Sequence, residues 1–86
     1  MANYRISQEV PWSEVLAVLR RRVQIRMRNC EIFLPGEGTG QWEADALKVA
    51  KQHLEKSLQV YQALRAFLGY TATTRIEKEA QELLEK

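Results

Sequence analysis

The most constraining feature of this sequence is the regular spacing of apolar residues in two long stretches separated by a glycine-rich break. The first stretch has apolar residues at steps of three and four: Trp12, Leu16, Leu19, Val23, Met27, Cys30 and Leu34. This spacing places them along one side of an α-helix. Pro11 suits the first turn of a helix and restricts Val10 to extended geometry. We therefore predict a first helix over residues 11–34, after an irregular segment at residues 1–10.

The second stretch follows the break at residues 35–40. Three glycines and a proline in six positions favour turns, so the segment Pro35-Gly36-Glu37-Gly38-Thr39-Gly40 predicts a loop. Beyond it the same spacing returns in Leu47, Ala50, Leu54, Leu58, Tyr61, Leu64 and Leu68. Thr39 is a candidate N-cap, and Gly69 is placed to end the helix. The pattern predicts a second helix over residues 41–68.

A third, shorter helix is predicted at the C-terminal end, over residues 74–85. The segment Thr74-Arg75-Ile76-Glu77 has the form of a capping box, and apolar residues then recur on one face at Ile76, Ala80, Leu83 and Leu84. The two longer helices would each extend about 35 to 40 Å, so they match as antiparallel neighbours. We predict one all-α domain over residues 1–86, an antiparallel helical hairpin with a short C-terminal helix.

Both long helices also carry apolar residues away from their main stripes. Val18, Ile25 and Ile32 are seven residues apart and lie opposite the first stripe. The candidate self-association residues are Val18, Ile25, Ile32, Trp42, Val49, Val60 and Phe67. A chain of this length buries a modest fraction of its surface, so we predict a homodimer in which two hairpins form a helical bundle. The alternative is that the third helix and the N-terminal segment cover these residues within one chain.

An arginine cluster in the first helix is the densest charged feature. Residues 1–30 carry six arginines against two glutamates, whereas residues 76–86 carry four glutamates against two lysines. The candidate anion or partner-binding residues are Arg20, Arg21, Arg22, Arg26 and Arg28. Arginine binds phosphate through two hydrogen bonds, which makes a nucleic-acid site one interpretation. Helical spacing distributes these charges around the helix. This favours arginines whose stems cover apolar rims and whose charged ends remain solvated or pair with carboxylates, including those of the acidic tail. Binding to an acidic protein surface is a third interpretation.

Residues for catalysis, cofactor binding or metal binding are not organised into any motif. The single cysteine and single histidine exclude a Cys/His zinc cluster within one chain. Cys30 lies on the main stripe and is predicted to be a small buried hydrophobe, and His53 lies at the edge of the second apolar arc. The glycines of residues 36–40 resemble a phosphate-binding loop poorly, because no Gly-Lys-Ser/Thr follows them. We predict a protein that is not an enzyme.

The surfaces of the predicted helices therefore indicate a function in binding other chains. We expect a small protein–protein interaction module, such as an adaptor, small chaperone or regulatory subunit, that acts through self-association and an apolar and charged helical face. The alternative function is a nucleic-acid-binding regulator that uses the arginines of the first helix. Without an apolar run of signal-peptide or membrane-spanning length, the sequence predicts a cytoplasmic protein that does not enter a membrane.

Overall fold

Three α-helices make up the described structure. The computed structural model describes residues 10–34 and 41–86, with side chains described from residue 44 onward in the second range. The helices are α1 (Trp12–Ile32), α2 (Gln41–Phe67) and α3 (Arg75–Leu84), and the described residues include no β-strand. The prediction of an all-α fold is confirmed. The predicted loop at 35–40, its candidate N-cap Thr39 and the segment 1–9 lie outside the described residues.

The first helix begins directly after Pro11 and ends two residues before the predicted boundary. At its start the Pro11 carbonyl accepts hydrogen bonds from the backbone N–H groups of Glu14 and Val15. At its end the N–H of Leu34 donates to the carbonyl of Glu31 at 3.3 Å, a bond that spans three residues instead of four. Such bonds tighten the final turn. Leu34 also precedes a proline, whose ring disfavours α-helical geometry at the residue before it.

The second helix ends at Phe67, one residue before the predicted boundary, and the predicted terminating residue Gly69 follows it. Gly69 has a φ of +91°, in the left-handed region that glycine adopts without a steric penalty. The N–H of Tyr70 donates to the Arg65 carbonyl at 2.8 Å, and the N–H of Gly69 donates to the Ala66 carbonyl at 3.1 Å. These two bonds form a Schellman motif. The motif places Tyr70 one turn beyond Arg65, on the same side of the chain.

The hydrophobic core contains residues from all three helices. Its buried members are Val23, Cys30, Ala50, Leu54, Leu58, Tyr61, Ile76, Ala80 and Leu83. The largest fully buried side chains are Leu54 of α2 and Val23 and Cys30 of α1. At one end of the core the Trp12 and Phe67 rings meet edge to face, with centroids 6.2 Å apart. The first residue of α1 therefore lies beside the last residue of α2.

The third helix packs against α1 and α2 of its own chain. Ile76, Ala80 and Leu83 are buried in the shared core. The predicted capping box is present, because the Thr74 side chain accepts a hydrogen bond from the N–H of Glu77 and the Glu77 carboxylate accepts one from the N–H of Thr74. The box fixes the start of α3 and turns the Glu77 side chain back toward α2.

Candidate interaction surfaces

The described self-association candidates all lie on the surface of the chain. Val18, Ile25 and Ile32 of α1, and Val49, Val60 and Phe67 of α2, are between 50% and 68% exposed. The side chain of Trp42 lies outside the described residues. The third helix leaves all six exposed residues uncovered. Aliphatic residues are often exposed singly, but two series of them along two helices form apolar surfaces that are typical of interaction sites.

An open apolar groove runs between α1 and α2 on the side that α3 does not cover. Its lining residues are Arg26, Asn29, Phe33, Ala46, Val49, Ala50 and His53. The third helix lies against the opposite flank of α1, where Arg75, Ile76 and Glu79 of α3 border one cavity with Arg20, Gln24 and Met27. His53 is exposed and borders the open groove. One side of the helix pair is thus closed by α3, and the other is open.

The apolar series of α1 is bordered by arginines. Val18 and Ile25 line a shallow surface cavity together with Arg21, Arg22 and Arg26. Ile25 lines a second cavity with Arg21 and Arg28. We call this surface the α1 face, defined by Val18, Ile25 and Ile32 with Arg21, Arg22, Arg26 and Arg28 around them. Arg20 lies outside it, on the flank that contacts α3, and Arg28 also lines the cavity on that flank.

The arginines of the α1 face have no partner within the described part of the chain. Within residues 10–34 and 41–86, none of the five arginines of the cluster forms a hydrogen bond or ion pair. Arg26 is half-buried and the other four are exposed. Of the interpretations left open by the sequence, pairing with the acidic tail is not seen among the described residues, where Glu77 and Glu79 bind Arg65 and Arg75.

A side-chain cluster at the junction of α2 and α3 was not predicted from the sequence. Arg65 Nη1 donates to Glu77 Oε1 at 2.9 Å and to the Ala72 carbonyl at 2.8 Å. Its guanidinium carbon lies 5.9 Å from the centre of the Tyr61 ring and 5.4 Å from that of Tyr70. Both distances are within the range of cation–π attraction. Arg65 therefore links α2, the following turn and α3.

The Glu77 carboxylate receives several hydrogen bonds in this cluster. Gln62 Nε2 donates to Oε2 at 3.1 Å, while the N–H and hydroxyl of Thr74 donate to Oε1. Burial alone raises the pKa of Glu77, but the hydrogen bonds from Thr74 and Gln62 and the charge of Arg65 outweigh it and lower that pKa below its ordinary value. The cluster fixes α3 in place, because Gln62 and Arg65 of α2 both donate hydrogen bonds to the Glu77 carboxylate of α3.

Cys30 occupies the predicted buried position. Its side chain is fully buried. Burial raises the pKa of the Cys30 thiol, an effect that the positive charge of Lys51 reduces and the negative charge of Glu31 increases. The thiolate is the reactive form, so both burial and the raised pKa make this cysteine unreactive.

We expect Cys30 of the folded protein to react with a disulfide reagent about two orders of magnitude more slowly than in denaturant, because the chain must open before the thiol is reached. Release of the reagent's chromophore measures both rates on the same sample. A rate within a few fold of that of the unfolded chain would contradict the burial of Cys30.

Neither a metal site nor a membrane span is found in the described part of the chain. Among residues 10–34 and 41–86, no three side chains of the His, Cys, Asp and Glu types are grouped to hold a metal ion. None of the described helices has the length and apolar character needed to cross a bilayer. The candidate sites are therefore the exposed helical surfaces described above.

Comparison with known proteins adds no assignment. Family models, curated proteins and solved structures gave no match to this chain.

Proposed function

We propose that this protein is a small helical interaction module that assembles through its exposed helical faces, as an adaptor, small chaperone or regulatory subunit. The observation that supports the proposal is the exposure of six apolar residues, all at least half exposed, along α1 and α2. The contact between Trp12 and Phe67 favours an antiparallel hairpin of the two long helices. Two such hairpins would form a dimeric bundle, which is a common way for short helical chains to bury apolar surface.

The α1 face has the chemistry of a docking site for another helix. Its three β-branched residues span about 21 Å at 1.5 Å per residue, and they form a stripe one residue wide. Narrow stripes with seven-residue spacing are typical of helix–helix seams, where charged residues on both sides select the partner. The charged residues that line the two cavities of the α1 face are all arginines, and Glu14 lies one turn before Val18. The favoured partner is therefore an amphipathic helix with carboxylates beside most of its apolar seam.

The same face fits nucleic acid less well. Phosphate groups would bind the arginines but would leave Val18, Ile25 and Ile32 in contact with water. A protein helix can bury these apolar residues and pair with the arginines at the same time. The positions of the arginines on both sides of the stripe, with the aliphatic residues between them, therefore favour a protein partner.

A synthetic amphipathic peptide with an isoleucine seam bordered by glutamates tests this function. We expect it to bind the full chain, measured by the anisotropy of a fluorescent label, and we expect Ile25→Ser to weaken binding about tenfold, since it removes a central apolar contact. Val49→Ser makes the same kind of change on α2 and is the matched control. It should leave the affinity for the peptide unchanged.

Two further probes define the contrary results. A peptide of the same composition in scrambled order should bind weakly, because it cannot place its apolar residues on one side of a helix. Equal binding of both peptides would reduce the α1 face to a non-specific cation surface. The nucleic-acid alternative would be supported by tighter binding of a short DNA duplex with a steep salt dependence. In that case Arg21→Gln and Arg28→Gln together should remove the salt-dependent binding, and Ile25→Ser should not.

A further inference from the structure

The residue types on the exposed face of α2 follow nearly the same order whether the helix is read from its start or from its end. Its positions alternate in steps of three and four, the spacing of a helix–helix seam. The described residues at these positions are Ala46, Val49, His53, Lys56, Val60, Ala63 and Phe67. From the middle outward, each half has a basic residue, then a valine, then an alanine. We call this set the α2 seam.

A sequence that reads alike in both directions suits two antiparallel copies of the same helix. In a two-fold symmetric dimer, a contact between one residue of the first copy and another residue of the second is repeated with the two copies exchanged. With the axis between His53 and Lys56, Val49 would face Val60 of the second copy. Ala46 would face Ala63, and by sequence position Trp42 falls opposite Phe67. We propose that a second copy of this chain binds the α2 seam in antiparallel orientation about this axis.

The sizes of the facing residues support this register. Pairs of alanines allow two helices to approach closely, and the valine pairs then fill the space on either side of the centre. Val49 and Val60 are about half exposed in the single chain, so each has apolar surface left to bury. A shift of the register by one helical turn would place valine against alanine or lysine and would lose this matching.

Charge distinguishes the α2 seam from the α1 face as a site for a second copy. Gln52 and Gln59 border the seam, and in the antiparallel register they are neighbours across the dimer that can exchange amide hydrogen bonds. At the centre of the α2 seam, His53 would face Lys56 of the second copy. The α1 face carries four arginines with no partner among the described residues, so pairing two α1 faces would bring more like charges together than pairing two α2 seams. This contrast assigns the second copy to α2 and leaves the α1 face open.

The groove beside α1 continues the α2 seam. Ala46, Val49 and His53 belong to both, and no α3 residue lines the groove. The seam from Ala46 to Phe67 is about 32 Å long at 1.5 Å per residue, and the groove adds Asn29 and Phe33 to the surface that a second copy can contact. The inference rests on the proposed interaction function, of which it names one partner, but it does not depend on the α1 face.

Changes on the two faces test which of them forms the dimer. Val49→Lys with Val60→Lys should convert the dimer to a monomer, measured by light scattering after size exclusion, since the register would place lysines together in an apolar contact. Val18→Lys with Ile25→Lys is the matched control on α1 and should remain dimeric. Circular dichroism checks that both variants keep their helix content, as expected from the exposure of all four positions.

Spin labels test the antiparallel orientation without disturbing the seam. Lys48, Glu55 and Ala66 are exposed and share one side of α2 away from the seam, so each can be replaced singly by a labelled cysteine. Buried Cys30 should take up little label, which the unsubstituted chain verifies. The label-to-label distance in the dimer should be shortest at residue 55, because the two copies of this residue are offset along the helix axis by only about 2 Å. It should be longer at 48 and 66, where the offsets are about 20 and 34 Å.

The outcomes separate this inference from the proposed function. A dimer with the three predicted distances and sensitivity to the Val49 and Val60 changes supports it. Equal distances at the three positions would indicate parallel helices, and dissociation by the Val18 and Ile25 changes alone would place the dimer on α1. Either result overturns the inferred dimer. A monomeric unsubstituted chain overturns it as well. Binding of the acidic peptide to the Val49→Lys, Val60→Lys monomer would show that the interaction function survives even where the inferred dimer fails.

Discussion

Glu77→Gln is expected to lower the free energy of unfolding by about 3 kcal/mol at neutral pH. The Glu77 and Arg65 side chains are 8% and 12% exposed, and the substitution removes the negative charge while leaving the guanidinium buried. Removing one partner of a buried ion pair commonly has an effect of this size. Denaturant unfolding of both proteins at the same concentration measures the difference, and loss of helix content shows whether α3 separates first.

The difference between the two proteins should depend on pH in a defined direction. The pKa of Glu77 is lowered in the folded chain from an ordinary value of 4.5. Its stabilising effect is therefore fully present above pH 4.5 and is lost as the pH falls through the lower pKa of the folded state. The stability of the unsubstituted protein should approach that of Glu77→Gln in acid, and the gap should reach its full size at neutral pH.

Glu79→Gln is the matched control for the ion pair. Glu79 pairs with Arg75 at 3.1 Å four residues earlier on α3, and the Arg75 side chain is 92% exposed. Exposed pairs of this kind contribute at most about 0.5 kcal/mol, so this substitution should have little effect. Similar losses from both substitutions would show that the Arg65–Glu77 pair has no special role in holding α3.

Leu54→Ala is expected to lower the free energy of unfolding by about 3 kcal/mol. Leu54 is fully buried near the middle of α2, and its removal loses apolar burial and leaves a cavity beside a small core. A domain of this size has a total stability of only about 5 to 10 kcal/mol, so the loss is a large part of it. Thermal and denaturant unfolding at a fixed protein concentration measure the change.

Val18→Ala tests whether burial is the cause of that effect. Val18 is 58% exposed on the opposite side of α1 from the core, so its truncation should change stability by less than about 0.5 kcal/mol. A loss comparable to that of Leu54→Ala would mean that Val18 is covered in the folded protein, and the α1 face would not be a free surface.

Helical periodicity was sufficient to predict the exposed positions. Val18, Ile25 and Ile32 are separated by seven residues, and at 100° per residue they lie nearly opposite Val23 and Cys30. Their exposure follows from this local geometry once the main stripe is buried. The ends of α1 and α2 also follow local rules, because Pro11 and Gly69 act through their own backbone preferences.

The Arg65 cluster could not be predicted in the same way. The capping-box pattern predicted the hydrogen bonds between Thr74 and Glu77, which are three residues apart. It gave no reason to choose Arg65 over the arginines of α1 as the partner of the acidic tail. That choice depends on the turn at Gly69, which brings α3 back beside α2, and such a long-range contact has no periodic signature.

Sedimentation equilibrium of the unsubstituted chain tests the central claim most directly. The long helices are claimed to expose more apolar surface than the chain itself covers, and association with a second copy would bury part of it. A dimer of about twice the 10.0 kDa chain mass is expected at micromolar concentrations, with dissociation only on dilution. A mass of 10.0 kDa throughout the micromolar range would contradict the claim.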